Sequence, residues 1–355
     1  MSRLLLPSAA LLFTCSVLAQ PQGVPMRAPY RSLPTVVVPP DPNEPVTGVV
    51  QALTSQPERS SALGLMNRAR LSQQFHMPRM APFQMVATFT STSGAGNLTE
   101  TWMNGQKWRW TGSAGNDTAV RISGEGIVYG SPQGGAMPPP VHVLRNAIFW
   151  APGGVQDASA SIRSSSIIWN GKPTTCLLFG PRGEEPEGAR TWDEEEFCID
   201  DASGQLQVHS FVPGTYVNYS YTAQFHGRTP PSGITIYSGN KKVLDAQLTV
   251  NDAGQPDDSL FTPTEQMRSY GPVGTGQLPG RAMIFSTSAS VSDAAKPVIV
   301  HASVDSQGTV VAEELSIASD AALAQTALDL VKAKSFQANS AIREIYVQVR
   351  FVAAQ

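Results

Sequence analysis

The sequence predicts an α+β, mostly β chain: a central antiparallel curved sheet or half-barrel with an N-terminal helix, then a small β-β-α-β C-terminal domain. Three observations carry this. Short strand-like runs, several of them strictly alternating apolar and polar residues, recur at even spacing from Phe83 to Val250, as strands with one buried face do. Gly 30 and Pro 28 in 355 residues favour turns over long helices. A Gly/Pro-rich stretch, residues 253–280, then separates that pattern from a new one.

In chain order, Met1-Ser2-Arg3 places one positive charge before an apolar run, Leu4 to Ala19. Val17-Leu18-Ala19 offers small or β-branched residues for cleavage before Gln20, so residues 1–19 read as a secretory signal peptide. The run would span about 24 Å as a helix, short of the roughly 30 Å hydrocarbon core, which makes an uncleaved inner-membrane anchor the lesser reading. The expected location is therefore exported, periplasmic or cell-envelope associated. Prolines 21, 25, 29, 34, 39, 40, 42 and 45 make residues 20–50 a disordered, extended tether.

A domain over residues 51–262 follows. Ser55 and Glu58 form a capping box ahead of Ala62, Leu65, Met66 and Ala69, which predicts a helix over 57–74. Phe83, Met85, Ala87 and Phe89 then alternate with polar neighbours. Asn104-Gly105 marks a hairpin whose two-residue turn would pair Trp102 with Lys107, Thr101 with Trp108 and Glu100 with Arg109. That register makes Trp102–Lys107 a cation–π pair and Glu100–Arg109 an ion pair on one face. Further strands are expected at 120–128, 166–169, 175–179, 206–211, 216–225, 233–237 and 243–250, with Gly124-Glu125-Gly126 as a bulge. Residues 263–280 read as a linker to a separate unit, 281–355. There Val298 to Val304 and Thr309 to Ile317 form strands, Ser319 or Asp320 caps a helix bearing Leu323, Ala327, Leu330 and Val331, and Ile345 to Phe351 form the last strand.

Cys176 and Cys198 remain once the signal is removed, and an even count in an exported chain favours one disulfide. A formal charge of −3 excludes a basic footprint for nucleic acid. The five histidines are widely separated, and no zinc-protease, nucleophile-elbow or P-loop motif occurs. The chain thus reads as a non-enzyme without cofactor or metal. Two alternatives are weaker: a soft-metal site at His76-Met77-Pro78-Arg79-Met80 with Met85, and Ca²⁺ binding by the acidic run Glu184 to Asp201. That run reads better as a solvated loop between the cysteines.

The strand ending in Val304-Asp305, the Gly308 turn, Val310-Val311, the Ser319-led helix, Phe336 and the final strand closing on Phe351-Val352 together resemble the TonB C-terminal domain. The resemblance implies pairing with an envelope protein, such as an outer-membrane receptor, by strand addition along a free edge of the last strand. Tyr346, Gln348 and Arg350 would face outward there and give specificity. The middle region, through the early helix, the Trp102/Trp108 hairpin, Tyr219-Ser220-Tyr221 and Pro230-Pro231, more weakly resembles LolA-like proteins. That resemblance implies the alternative function, a lipid or lipoprotein carrier using the concave face of the sheet.

Overall fold

The computed structural model describes residues 49–130, 139–149, 161–180, 190, 194–212, 215–238, 241–272, 280–288, 298–318, 321–338 and 343–353. The expected signal peptide, most of the tether and the caps Ser319 and Asp320 lie outside the described residues. Within them, no helix is long and apolar enough to cross a membrane.

The first helix forms as its sequence dictates. α1 (Gln56–Gln73) starts on Ser55, whose hydroxyl accepts from the Glu58 amide while the Glu58 carboxylate accepts from the Ser55 amide at 3.2 Å. Ala62, Met66 and Ala69 form its buried stripe. Ahead of it lies β1 (Gln51–Ala52). After it come β2 (Phe83–Ser91), β3 (Gly94–Asn104), β4 (Lys107–Ala114), β5 (Asp117–Gly124) and β6 (Ile127–Gly130). A second helix, α2 (Pro139–Phe149), was not expected from the sequence. The sheet resumes with β7 (Ser161–Trp169), β8 (Lys172–Gly180), β9 (Glu195–Asp200), β10 (Leu206–Val212), β11 (Thr215–Ser220), β12 (Gly233–Ser238), β13 (Lys241–Asp252) and β14 (Arg268–Pro272).

These fourteen strands make one antiparallel sheet in the order β1-β7-β8-β9-β10-β11-β12-β13-β2-β3-β4-β5-β6-β14, open between β1 and β14. The antiparallel, curved, mostly β expectation therefore holds. Three local expectations do not. Gly124-Glu125-Gly126 is the turn of the β5–β6 hairpin, with Glu125 at φ 52° and Gly126 at φ 79°, and not a bulge. Part of the expected linker is sheet, because β14 pairs with β6. The β3–β4 hairpin is shifted by one residue: Trp102 pairs with Trp108, Thr101 with Arg109 and Glu100 with Trp110. The Asn104 side-chain oxygen accepts from both the Gln106 and Lys107 amides at 2.9 Å, which moves the two-residue turn on to Gly105-Gln106, with a bulge between Trp102 and Asn104. A one-residue shift changes which side chains stand opposite each other. Lys107 accordingly pairs with Asp258 at 2.8 Å instead of Trp102, and Arg109 reaches the Leu260 carbonyl instead of Glu100.

The C-terminal strands β15 (Gly280–Ser288), β16 (Val298–Val304), β17 (Val310–Ala318) and β18 (Arg343–Ala353), with α3 (Ala321–Lys332), form a second sheet in the order β15-β18-β16-β17. Gly308, at φ 89°, makes the β16–β17 turn; a Cβ there would sit 2.0 Å from the Phe336 carbonyl oxygen. Val298, Val300, Ala302 and Val304 share a face with Ile345, Val347, Val349 and Phe351, packed on Ala327 and Val331 of α3. That face is the one the alternation predicts.

The free edge expected along the last strand is absent. β18 is hydrogen-bonded to β16 on one side and, in parallel over Gly280 to Ser288, to β15 on the other. Tyr346 is buried, and Gln348 and Arg350 are half-buried. The face carrying Tyr346 lies against the central domain, where Tyr346 meets Phe211 and His142.

Candidate functional site

The concave face of the central sheet is where unusual chemistry collects. Its floor comes from alternate residues of three neighbouring strands: Phe83, Met85, Ala87 and Phe89; Leu98, Glu100 and Trp102; Trp110, Gly112 and Ala114. The bulged register puts Glu100 together with the three tryptophans of the hairpin, Trp102, Trp108 and Trp110. Trp108 is partly buried against the same core.

Two helices cover this floor. α1 contributes its small-residue stripe, and α2 inserts Val141, Leu144, Ala147 and Ile148 into the same core. Val141 approaches so closely that a Cβ on Gly112 would lie 2.3 Å from its Cγ1. Glycine at that position lets the helix seat against the sheet. The Tyr219 hydroxyl of β11 donates to the Ala147 carbonyl at 3.0 Å.

A carboxylate is buried in this apolar interior. Glu100 is 0% exposed and is gripped by Arg145 of α2, Nε to Oε2 at 3.0 Å and Nη2 to Oε1 at 3.1 Å. His76, just past α1, brings Nε2 to 2.8 Å from Oε1 as an ion-pair contact. Burial pushes the Glu100 carboxyl up, but Arg145 and then His76 outweigh it and hold it below the usual carboxylate range. The Arg145 guanidinium also lies over the rings of Trp108, Trp110 and Phe149 at 5.1–5.9 Å. The helix cover is therefore clamped to the floor by a bidentate ion pair inside an aromatic box.

Beside the clamp, Phe75, His76, Phe83, Trp102 and Phe149 stack, with His76 and Phe149 at 4.0 Å and 10°. A cavity of about 30 Å³ opens next to this stack, between the ends of α1 and α2. It is lined by Arg70, Gln73, Gln74, Phe75, His76, Ile148 and Phe149. That is room for one or two water molecules at most.

A second charged group belongs to β7, β9 and β10. Arg163 donates to Glu194 at 2.6 and 2.5 Å, Arg190 to Glu196 at 3.1 Å and to Ser210, and His209 sits 2.9 Å from Glu195. All six ionisable partners are buried. Glu194, Glu195 and Glu196 are thus interior ion-pair members and not part of a solvated acidic loop. Glu184, Glu185, Glu187 and Asp193 lie outside the described residues.

The remaining predicted residues fall as follows. Cys176 and Cys198 are opposite each other on β8 and β9 and are joined as a disulfide. Among the described residues the one metal-sized cluster is Cys176, Glu196 and Cys198, and its two sulfurs are bonded to each other. Of the residues of the soft-metal alternative, His76 pairs with Glu100 and Met85 is buried in the core. Sequence reading missed Glu100, Arg145 and the whole of α2. A signal was present: Pro139-Pro140 suits a first helical turn, and Val141, Leu144 and Ile148 follow at i, i+3 and i+7.

No family model matches the chain, and no curated protein matches it. Among solved structures it is similar to a LolA superfamily protein from Nitrosomonas europaea, at 9% identity and TM-score 0.36, covering 57% of this chain and 97% of that one. It is also similar to a DUF1329 family protein from Desulfovibrio piger, at 7% identity and TM-score 0.37, covering 57% and 96%. A third is MucB, at 13% identity and TM-score 0.28, covering 62% and 68%.

Proposed function

We propose that this is an exported, non-catalytic envelope protein that carries an apolar ligand, a lipid chain or the lipidated part of another protein, on the concave face of its central sheet. The observation that supports the reading is the nature of the cover. The floor of Phe83, Met85, Leu98, Trp102 and Trp110 must be shielded from water, and α2 shields it through side-chain packing with a single ion-pair clamp. A helix seated in this way is replaceable by another apolar body of similar width, whereas a hydrogen-bonded strand is not. Export is supported by the N-terminal sequence pattern and by the disulfide, which persists in oxidising compartments.

Pairing with an envelope partner is the second reading, and one observation relocates it. The outer side of β15 is an edge of the C-terminal sheet among the described residues, so strand addition would occur there and not at Tyr346, Gln348 and Arg350. A resident receptor-type partner, as the TonB resemblance implies, belongs to that reading.

The carrier is tested by mass spectrometry of organic extracts from the purified full chain and by uptake of a fluorescent naphthylamine probe. Gly112→Ala places a methyl group against Val141 and loosens α2, so a folded Gly112→Ala protein takes up more probe than the parent. Adding Val141→Ala returns uptake towards the parent level. Extracts without an apolar ligand, together with no uptake by either protein, would overturn the carrier.

A further inference from the structure

The cavity at the ends of α1 and α2 contains a charge that the clamp does not use. Arg145 is matched to Glu100. Arg70, half-buried in the last turn of α1, lines the cavity, and its Nε is buried without a hydrogen-bond partner among the described residues. A buried donor left unsatisfied is destabilising, more so when charged, so its retention needs a reason. Favourable interaction with the helix C-terminus accounts for a cation in this turn, and it leaves the Nε donor without an acceptor. Around it stand two side-chain amides, Gln74 and Gln73, whose Nε2 already donates to the Tyr221 hydroxyl, and an apolar wall, Phe75, Ile148 and Phe149. His76 closes the side towards Glu100. The cavity is thus lined by a cation and two side-chain amides on one side and by an apolar, aromatic wall on the other.

We propose that this cavity receives an anionic head group, a carboxylate or phosphate, with Arg70 as its counter-ion. The arrangement suits an amphiphile whose apolar tail enters beneath α2 past Ile148 and Phe149. The tail's destination rests on the carrier reading, and the head-group site does not. A cavity of about 30 Å³ has room for a carboxylate and no more, so a phosphate head or the tail enters only as α2 gives way. Arg70 therefore selects the ligand by charge, and the sheet floor selects it by apolarity.

The test is calorimetric titration of the full exported chain with dodecanoate, dodecanol, acetate and inorganic phosphate, each amphiphile kept below its micellar concentration. Dodecanoate should bind at least tenfold more tightly than dodecanol. Arg70→Gln should abolish that difference while leaving dodecanol binding unchanged, and Arg70→Lys should restore part of it. Arg68→Gln removes the same charge from an exposed position on the same helix and should change nothing. Circular dichroism establishes that each variant is folded; if Arg70→Gln is not, the Arg70→Lys result decides. Equal binding of dodecanoate and dodecanol to the parent, or the same preference in folded Arg70→Gln, would overturn the head-group site and leave the carrier standing. Binding of acetate or phosphate that depends on Arg70, with no binding of either amphiphile, would establish a small-anion site and overturn the carrier. No binding of any of the four would overturn both.

Discussion

The central sheet covers its apolar face with two helices and keeps a carboxylate buried there, whereas the C-terminal sheet covers an all-apolar face with one helix. In the C-terminal sheet the core is Val298, Val300, Ala302, Val304, Ile345, Val347, Val349 and Phe351 on Ala327 and Val331. Its described ion pair, Lys332 to Glu313 at 3.0 Å, stays at the surface. In the central sheet the clamp Glu100–Arg145 and the Arg163–Glu194 and Arg190–Glu196 pairs are interior. Apolar packing alone suffices to hold a sheet and helix together. A buried ion pair adds little net stability over apolar residues of the same shape, but it penalises strongly any arrangement that separates its members. The comparison therefore assigns holding to the small sheet and a defined closed state to the large one.

The largest effects distinguish these two ways of filling a core. Phe351→Ala opens a cavity in the C-terminal sheet and should cost about 3–5 kcal/mol in urea unfolding, and no second apolar substitution that fails to refill it should recover the loss. Arg145→Met leaves Glu100 buried with His76 alone and should cost about 3 kcal/mol. Here the double variant Glu100→Gln/Arg145→Met should recover most of it. If the double variant is as unstable as Arg145→Met, the clamp matters through packing of the Arg145 stem and the contrast between the sheets fails.

A somewhat smaller effect concerns the disulfide. It links neighbouring strands of the central sheet only, and closing a loop of about 23 residues constrains the unfolded chain by about 3 kcal/mol in the entropy model, with real values often lower. Cys176→Ala/Cys198→Ala should therefore lower the unfolding midpoint of the central sheet and leave that of the C-terminal sheet in place, read by tryptophan fluorescence and by hydrogen exchange in β16 and β18. Equal loss of protection in both sheets would mean that they unfold as one unit.

The two regions also differ in how far their sequences disclose them. In the C-terminal unit Ile345 to Phe351 alternate without interruption, and both the core face and the β-β-α-β order follow from that. The pairing of β15 does not, because its parallel partner β18 comes only after β16, β17 and α3 in the chain, so no local pattern links the two. In the central sheet the strands and α1 are legible for the same reasons of period and capping. The site is not. Its key residue, Glu100, changes from an expected partner of Arg109 to an interior partner of Arg145, because Asn104 caps two amides and a bulge shifts the register by one residue. Arg145 lies on a helix only 11 residues long amid strand-like sequence. Polar residues at interior positions defeat pattern reading because the pattern assumes that charges face water.

The smallest expected effect lies where the two regions meet, and it appears as a slope and not as a midpoint. His142 of α2 stacks on His301 of β16 with centroids 3.4 Å apart, and its Nε2 lies 3.1 Å from the Tyr346 hydroxyl of β18 and 2.6 Å from Nδ2 of Asn146. Burial, then the positive charges that His301, Arg145 and Arg121 carry or acquire, hold the His142 pKa well below its ordinary value. A histidine depressed in the folded state binds fewer protons there than in the unfolded chain, so stability rises with pH across that interval. The contribution is complete above the unfolded value near 6.5 and is lost as pH falls towards the folded one. Acidification should therefore loosen α2 from the C-terminal sheet before it breaks the Glu100 clamp, whose lowered carboxyl pKa postpones its own loss to below about pH 4.5. Hydrogen exchange in β16 and β18 between pH 7 and pH 5 should show protection falling in the parent and a flatter profile in His142→Gln, whose amide keeps a polar group beside Tyr346 without taking up a proton. An identical profile in a folded His142→Gln protein would show that this histidine pair does not set how the two sheets are held together.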